Sequence, residues 1–196
     1  MIDQMLCNGF PLSLIILAGG GSRRMGRDKA LLPVGNETLI ERLISQLNEY
    51  FAEIIISVSS DRNYTFLPYK RVQDIESGQG PMMGLYSALS HSKNEKNFVI
   101  SCDIPDIGIS FVERMVALAD GCDIVVPLSH GGKYEPLFAV YSKSVRKEMA
   151  GLLDTGERSL LPLFNILSIR TLPIEGESWF KNLNTFQDYE DYLIGR

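Results

Sequence analysis

Short aliphatic runs alternate with amphipathic stretches along this chain. Leu14-Ile-Ile-Leu-Ala18 shows no polar alternation, which predicts a first strand buried on both faces. Ile54-Ile-Ile-Ser-Val58 predicts a second strand and Phe98-Val-Ile100 a third. Between the first two, Glu37 to Tyr50 places Leu39, Ile40, Leu43, Ile44 and Leu47 on one helical stripe. Pro81 to His91 reads as a helix with proline in its first turn, where the missing N–H costs nothing. Ser110 to Ala119 reads as a third helix, with Ser110 as its expected cap. Ile124-Val-Val126 and Leu137-Phe-Ala-Val-Tyr141 predict further strands, followed by a helix over Lys143 to Leu153. After the apolar segment Ile166 to Leu172, Thr185 and Asp188 have the capping-box spacing that opens a last helix. Strands alternating with helices imply a three-layer α/β/α sandwich around a mostly parallel, mixed central sheet. No repeat, low-complexity tract or linker divides residues 1–196, so one domain is expected.

Composition narrows the function classes without changing this picture. With 45% hydrophobic and 22% charged residues, the chain has the make-up of an ordinary globular domain. A net charge of -5 argues against a nucleic-acid binder, which needs a basic face. No apolar run approaches the ~20 residues of a membrane helix, so no membrane partner is expected. Leu12 to Ala18 is apolar and small residues follow, but no Lys or Arg precedes it and Asp3 does; a secretory signal is therefore not expected. Cys7, Cys102 and Cys122 are odd in number and lack CxxC spacing, which suits a reducing cytoplasm.

The stretch LAGGGSRRMGRDKALL, residues 17 to 32, runs against this acidic background. It directly follows the first predicted strand, and open parallel sheets collect ligands at the carboxyl ends of their strands. Gly19, Gly20 and Gly21 allow backbone N–H groups to converge on an anion. Arg23, Arg24 and Lys29 follow closely, a combination that suits a polyphosphate better than a single carboxylate. The competing reading is a surface turn with solvated arginines. Neither a Walker A loop nor GxGxxG is present at the required spacing. The stretch resembles the signature loop of nucleotidyltransferases with a Rossmann-like α/β fold of the glycosyltransferase-A type. Its double glycine after Leu-Ala, with Arg-Met-Gly-x-Asp-Lys, resembles the molybdenum cofactor guanylyltransferases most closely. Further landmarks carry the resemblance from Leu14 to about Tyr192. They divide the expected domain into a nucleotide-binding half, about 12–107, and an acceptor-binding half, about 108–196.

Phe98-Val-Ile-Ser-Cys-Asp-Ile-Pro-Asp106 places Asp103 and Asp106 at the end of the third strand. Magnesium in phosphate chemistry is usually held by one or two carboxylates with water and substrate phosphates. From the residues alone, these two aspartates are equally well read as turn residues before the next helix. The resemblance implies that Asp103 is the Mg2+ ligand and leaves Asp106 as an outside candidate. Asp74, before Gly78-Gln-Gly80-Pro81, has a carboxylate able to accept hydrogen bonds from a base or ribose, or it is an exposed loop residue. The resemblance implies a nucleotide-binding role for it. After the second strand the family often carries a nucleotide-binding asparagine, and here Ser59 is the nearest equivalent. Glu135-Pro-Leu-Phe-Ala-Val-Tyr141 and Phe180-Lys-Asn182-Leu-Asn184-Thr185 resemble the family's acceptor strand and C-terminal turn. Asn182 and Asn184 are thereby the candidate acceptor-binding residues, although Asn184 could equally help cap the last helix.

The resemblance implies an enzyme, a nucleotidyltransferase that moves GMP from GTP to the phosphate of molybdopterin and releases pyrophosphate. Leu17, Ala18, Gly19 and Gly20 would contact the nucleotide through their backbone. Arg24 and Lys29 would stabilise the phosphates, with Asp103 holding magnesium. Such chemistry rests on positioning and charge neutralisation rather than on a nucleophile–base pair, in keeping with a chain of only two histidines. GTP, molybdopterin and the molybdoenzymes that use the product are the implied partners. A sister enzyme using CTP or another phosphorylated acceptor is the alternative within this chemistry. A silent nucleotide-binding module that delivers cofactor is the alternative outside it.

Overall fold

The computed structural model describes residues 9–18, 28–59, 64–174 and 176–195. Cys7 and the loop residues Gly19, Gly20, Gly21, Arg23, Arg24 and Arg27 lie outside the described residues. Ten strands are described: β1 (Phe10–Leu17), β2 (Pro33–Val34), β3 (Glu37–Thr38), β4 (Phe51–Val58), β5 (Lys70–Gln73), β6 (Lys96–Ser101), β7 (Ile124–Ser129), β8 (Lys133–Tyr134), β9 (Phe138–Ser142) and β10 (Ile169–Pro173). Six helices accompany them: α1 (Leu39–Leu47), α2 (Gly80–His91), α3 (Ile109–Ala117), α4 (Arg146–Asp154), α5 (Leu163–Ile166) and α6 (Phe186–Ile194). None is long and apolar enough to cross a membrane among the described residues.

The central sheet runs β10-β7-β9-β6-β1-β4-β5, with β8 paired to β7 and a separate hairpin of β2 and β3. Strands β5, β4, β1 and β6 are mutually parallel, and β10 is parallel to β7. Strand β9 is antiparallel to both β6 and β7 and makes the sheet mixed. The period-2 geometry of a strand explains why the inner strands read as unbroken apolar runs. In β1, Leu14 and Ile16 enter one core with Ile40, Leu43, Ile44 and Leu47 of α1 and Phe111, Val112, Met115 and Val116 of α3. Ile15 and Leu17 enter the opposite core with Met82, Leu85, Ala88 and Leu89 of α2, Met149 of α4 and Leu163 of α5. The two cores on opposite faces are the three-layer sandwich expected from the element order. A smaller cluster of Leu32, Val34, Leu39, Leu183, Tyr189 and Tyr192 seats α6 against the β2–β3 hairpin.

The helices differ from expectation mainly at their starts. The stripe of α1 is buried at all five predicted positions, but Glu37 and Thr38 are strand residues. Thr38 caps the helix in a full capping box with Glu41. Ser110 does not cap α3: the helix begins one residue earlier, and Gly108 occupies the cap position without a side-chain bond. The Trp179 indole packs against this position and would lie 2.3 Å from a Cβ at residue 108, so the cap residue has to be glycine. Lys143–Val145 form a 3-10 turn ahead of α4 rather than its first helical turn. Ile166 ends α5 and the following strand begins at Ile169, so the segment from Ile166 to Leu172 is split between two elements. Thr185 and Asp188 form the capping box of α6 as their spacing predicts.

Phe98 of β6 is fully buried, stacked on Phe51 at 5.9 Å and edge-on to Phe138 at 5.1 Å. Phe98→Ala is expected to cost about 3–5 kcal/mol, because the rigid sheet cannot collapse into the void. Urea denaturation of the two proteins measures this difference.

Candidate functional site

Register places the site. Leu17, the last residue of β1, lies opposite Ser57 of β4 and Ser101 of β6. The Ala18 N–H continues the ladder to the Ser57 carbonyl at 2.9 Å. On the far side of β4, Val58 is opposite Gln73, and the Asp74 N–H donates to the Val58 carbonyl at 3.2 Å. Because these four strands are parallel, Ala18, Ser59, Asp74 and Asp103 all leave one edge of the sheet, where an open sheet binds its ligands.

At the outer part of this edge, Asp74 is half-buried and its Oδ1 is enclosed without a hydrogen-bond partner. Burial pushes its carboxyl up to about 6, against a smaller downward pull from the Ser57 hydroxyl. Ser57 is buried and donates to the Gly84 carbonyl at 3.2 Å. A Cβ at Gly84 would meet Ser57 Oγ at 3.0 Å, Asp74 Oδ1 at 3.4 Å and a Leu17 methyl at 3.6 Å. Gly84 therefore keeps the space around the Asp74 carboxylate clear. A buried acceptor with unused capacity is costly unless a ligand supplies the donor, and the N–H groups of a base or the hydroxyls of a ribose are such donors. Ser59, the expected polar contact, is half-buried one residue past β4. The serine that lines the Asp74 recess is Ser57, inside the strand.

At the inner part of the edge, Lys29 Nζ lies 3.7 Å from Asp103 Oδ2, with both side chains mostly shielded from solvent. Lys29 opens the 3-10 turn Lys29–Leu31, whose N-cap is Asp28. Desolvation pulls the Lys29 ammonium below the usual lysine range, while Asp103, then Asp188 and Cys102, hold it up. The Ser101 hydroxyl donates to Asp103 Oδ1, which leaves Oδ2 toward the lysine. Among the described residues no group of three or more His, Cys, Asp or Glu side chains forms a metal cage. A single carboxylate beside the Lys29 ammonium fits a hard divalent ion that takes its other ligands from phosphate and water.

The loop after Asp103 is held from α1. Gln46 donates from Nε2 to the Pro105 carbonyl at 2.9 Å and accepts the Ile107 N–H at 3.0 Å. Arg42 Nη2 pairs with Asp106 Oδ1 at 2.5 Å, and the Tyr192 hydroxyl donates to the same oxygen at 3.1 Å. Asp106 is thereby committed to a positioning network, and Asp103 is the carboxylate that faces Lys29. Neither residue caps α3. Arg42 and Gln46 went unnoticed in the sequence because a polar residue on the outer side of an amphipathic helix ordinarily means solvent.

On the acceptor side, the Leu183 N–H donates to the Asp103 carbonyl at 2.8 Å, which brings the Asn182–Asn184 turn against the same loop. Asn182 Nδ2 reaches Glu135 Oε2 at 3.4 Å. Asn184 is exposed, and its backbone N–H donates to Asp188 at 2.8 Å beside the Thr185 cap. Tyr141, fully buried, donates to the Pro136 carbonyl at 2.8 Å, so the tyrosine of that motif shapes the Glu135–Leu137 turn rather than meeting a ligand. Arg170 donates to the Leu118 carbonyl at 2.9 Å.

Known proteins resemble this chain in sequence and in fold. A sequence model of the MobA-like NTP transferase domain matches residues 14–167. A probable molybdenum cofactor guanylyltransferase of Pelotomaculum thermopropionicum is 36% identical over 181 residues, covering 89% of this chain and 88% of the relative. Among solved structures, molybdopterin-guanine dinucleotide biosynthesis protein A of Archaeoglobus fulgidus superposes with a TM-score of 0.77 at 22% identity, covering 92% of this chain and 96% of that one. A Mycobacterium tuberculosis protein solved in complex with manganese superposes with a TM-score of 0.70 at 16% identity, covering 94% of this chain and 99% of its own.

Asp74 also predicts a pH dependence. The folded protein holds its proton up to about 6, whereas an unfolded chain releases it near ~3.9. Between those values the folded state binds more protons, so this group's contribution to stability falls as pH rises and then levels off. Asp74→Asn removes the penalty: relative to the parent, its melting temperature should rise between pH 4 and pH 7. Parallel melting curves for the two proteins would count against the buried acceptor.

Proposed function

The chain belongs to the MobA-like NTP transferase family and is a nucleotidyltransferase, and from that premise we propose that it transfers GMP from GTP to the terminal phosphate of molybdopterin. The acceptor phosphate oxygen attacks the α-phosphorus in line, the bond from that phosphorus to the bridging oxygen breaks, and pyrophosphate leaves. The observation that carries the reading is the Lys29–Asp103 pair, a cation and a carboxylate at the carboxyl end of β1 and β6. The names of the relatives give the nucleotide and the acceptor; the residues give the phosphate chemistry.

Asp74 accepts hydrogen bonds from the base or ribose, with Ser57 and Gly84 keeping its recess open and Ser59 at the rim. The backbone of Leu17 and Ala18 lines the nucleotide, followed in the chain by Gly19 and Gly20. Lys29 meets the phosphates with its ammonium already partly stripped of water, so less desolvation remains to be done on binding. Arg24 supplies a second cation from the same loop. Asp103 would hold Mg2+, which would neutralise the charge that builds on the triphosphate; that a mycobacterial protein of the same fold was solved in complex with manganese is in keeping with a divalent ion. Asn182 and Asn184 hold the acceptor, within reach of the Asp103 loop through Leu183. Positioning and charge neutralisation suffice for phosphoryl-type transfer, and no side-chain nucleophile is required.

Lys29→Ala and Asp103→Ala should each lower turnover at least ~100-fold, about 2.7 kcal/mol of transition-state stabilisation. Pyrophosphate release with GTP, CTP, ATP and UTP, with and without molybdopterin, measures this and tests the substrate assignment. Release confined to GTP plus molybdopterin is expected; preference for CTP would reassign the base, and GTP binding without release would make the chain a delivery module. Gly84→Ala should raise KM for the nucleotide several-fold with little change in kcat, since its methyl crowds Asp74 and Ser57 and not the phosphates.

A further inference from the structure

Tyr64 lies between β4 and β5 and is fully buried, within the core that α1 and α3 cover. A phenylalanine would fill that space equally well, so the hydroxyl must have its own reason. It has two acceptors: Asp28 Oδ2 at 2.7 Å and the Ala18 carbonyl at 3.2 Å. One proton serves both, and the shorter, charge-assisted bond goes to Asp28. Ala18 is the residue at which the chain leaves β1, and Asp28 is the residue before Lys29. Asp28 uses its other oxygen, Oδ1, to accept the Ala30 N–H at 3.2 Å, and so caps the turn that carries Lys29.

The backbone of Tyr64 is anchored in turn. Its carbonyl accepts from the Leu67 N–H at 3.1 Å and from Arg71 Nη1 at 3.4 Å, and Arg71 belongs to β5, the strand that ends one residue before Asp74. The connections therefore run from β5 through Tyr64 to Asp28, along one turn to Lys29, and from Lys29 to Asp103. We infer that Tyr64 is a positioning residue: its hydroxyl fixes the Asp28 turn against the end of β1 and so holds the Lys29 ammonium at the phosphate side of the site. The inference rests on the nucleotidyltransfer reading for its effect on rate, but the pin itself is a property of the protein without substrate.

The test is Tyr64→Phe. Turnover should fall about tenfold while guanosine binding, which needs no phosphate contact, stays within twofold of the parent. In a Lys29→Ala background the same change should add less than a twofold loss, because the lysine through which it acts is gone. Parent-like turnover, or a full further tenfold loss without Lys29, would overturn the assignment. In the free protein, hydrogen exchange at the Ala30 amide should speed up at least tenfold; an unchanged rate overturns the pin whether or not the protein turns over GTP. If the parent releases no pyrophosphate from GTP and molybdopterin, the proposed reaction fails and the exchange measurement still decides on Tyr64. Should Tyr64→Phe not fold, Asp28→Ala removes the other end of the same bond and carries the same turnover and guanosine-binding expectations, with and without Lys29; Ala30 exchange is not read in that variant, because Asp28 is itself the acceptor of that amide.

Discussion

The parallel register of β1 between β4 and β6 is the constraint on which the rest depends. It sets Leu17 opposite both Ser57 and Ser101, so three chain segments far apart in sequence reach one sheet edge together. A one-residue slip in any of them would exchange the two faces of that strand, sending Ile15 and Leu17 where Leu14 and Ile16 belong. Both faces are packed, one by α1 and α3 and the other by α2, α4 and α5, so such a slip is costly on either side. The site therefore inherits its precision from the core.

What that edge assembles is divided by chemistry. The outer part, around Asp74, Ser57 and Gly84, is a recess with an unused acceptor, suited to a neutral donor-bearing group. The inner part, around Lys29 and Asp103, is ionic and suited to phosphate with a hard cation. The two parts are held by separate supports. Gly84 and α2 keep the first open, whereas Asp28, Gln46, Arg42 and Leu183 hold the second from α1, the β2–β3 side and the C-terminal turn. Tyr64 ties Asp28 of the inner part to Arg71 of β5, the strand that leads to Asp74.

Polar residues that look dispensable in the sequence do much of this positioning. Arg42 and Gln46 read as the solvent side of an amphipathic helix, yet with Tyr192 they secure the Asp103–Ile107 loop. Asp106 read as a second ligand candidate because it lies three residues from Asp103, but Arg42 claims it. The resemblance points to Ser59, which follows β4, and gives no sign of Ser57, which lies within β4 and sits beside Gly84 at the Asp74 recess.

The sequence by itself determined the layers: unbroken apolar runs become strands with two covered faces, 3.6-residue stripes become helices, and Thr185 with Asp188 announces the last one. It also determined that a glycine- and cation-rich stretch follows the first strand and that Asp103 comes just after a buried one. These are local patterns, legible because side-chain direction repeats within a few residues. Only the tertiary structure decided that β9 runs against its neighbours, that Lys29 meets Asp103, that Arg42 takes Asp106, and that the Tyr64 hydroxyl binds Ala18 and Asp28. Each of these joins positions tens of residues apart, and their meeting depends on strand register and helix docking, which no local periodicity encodes.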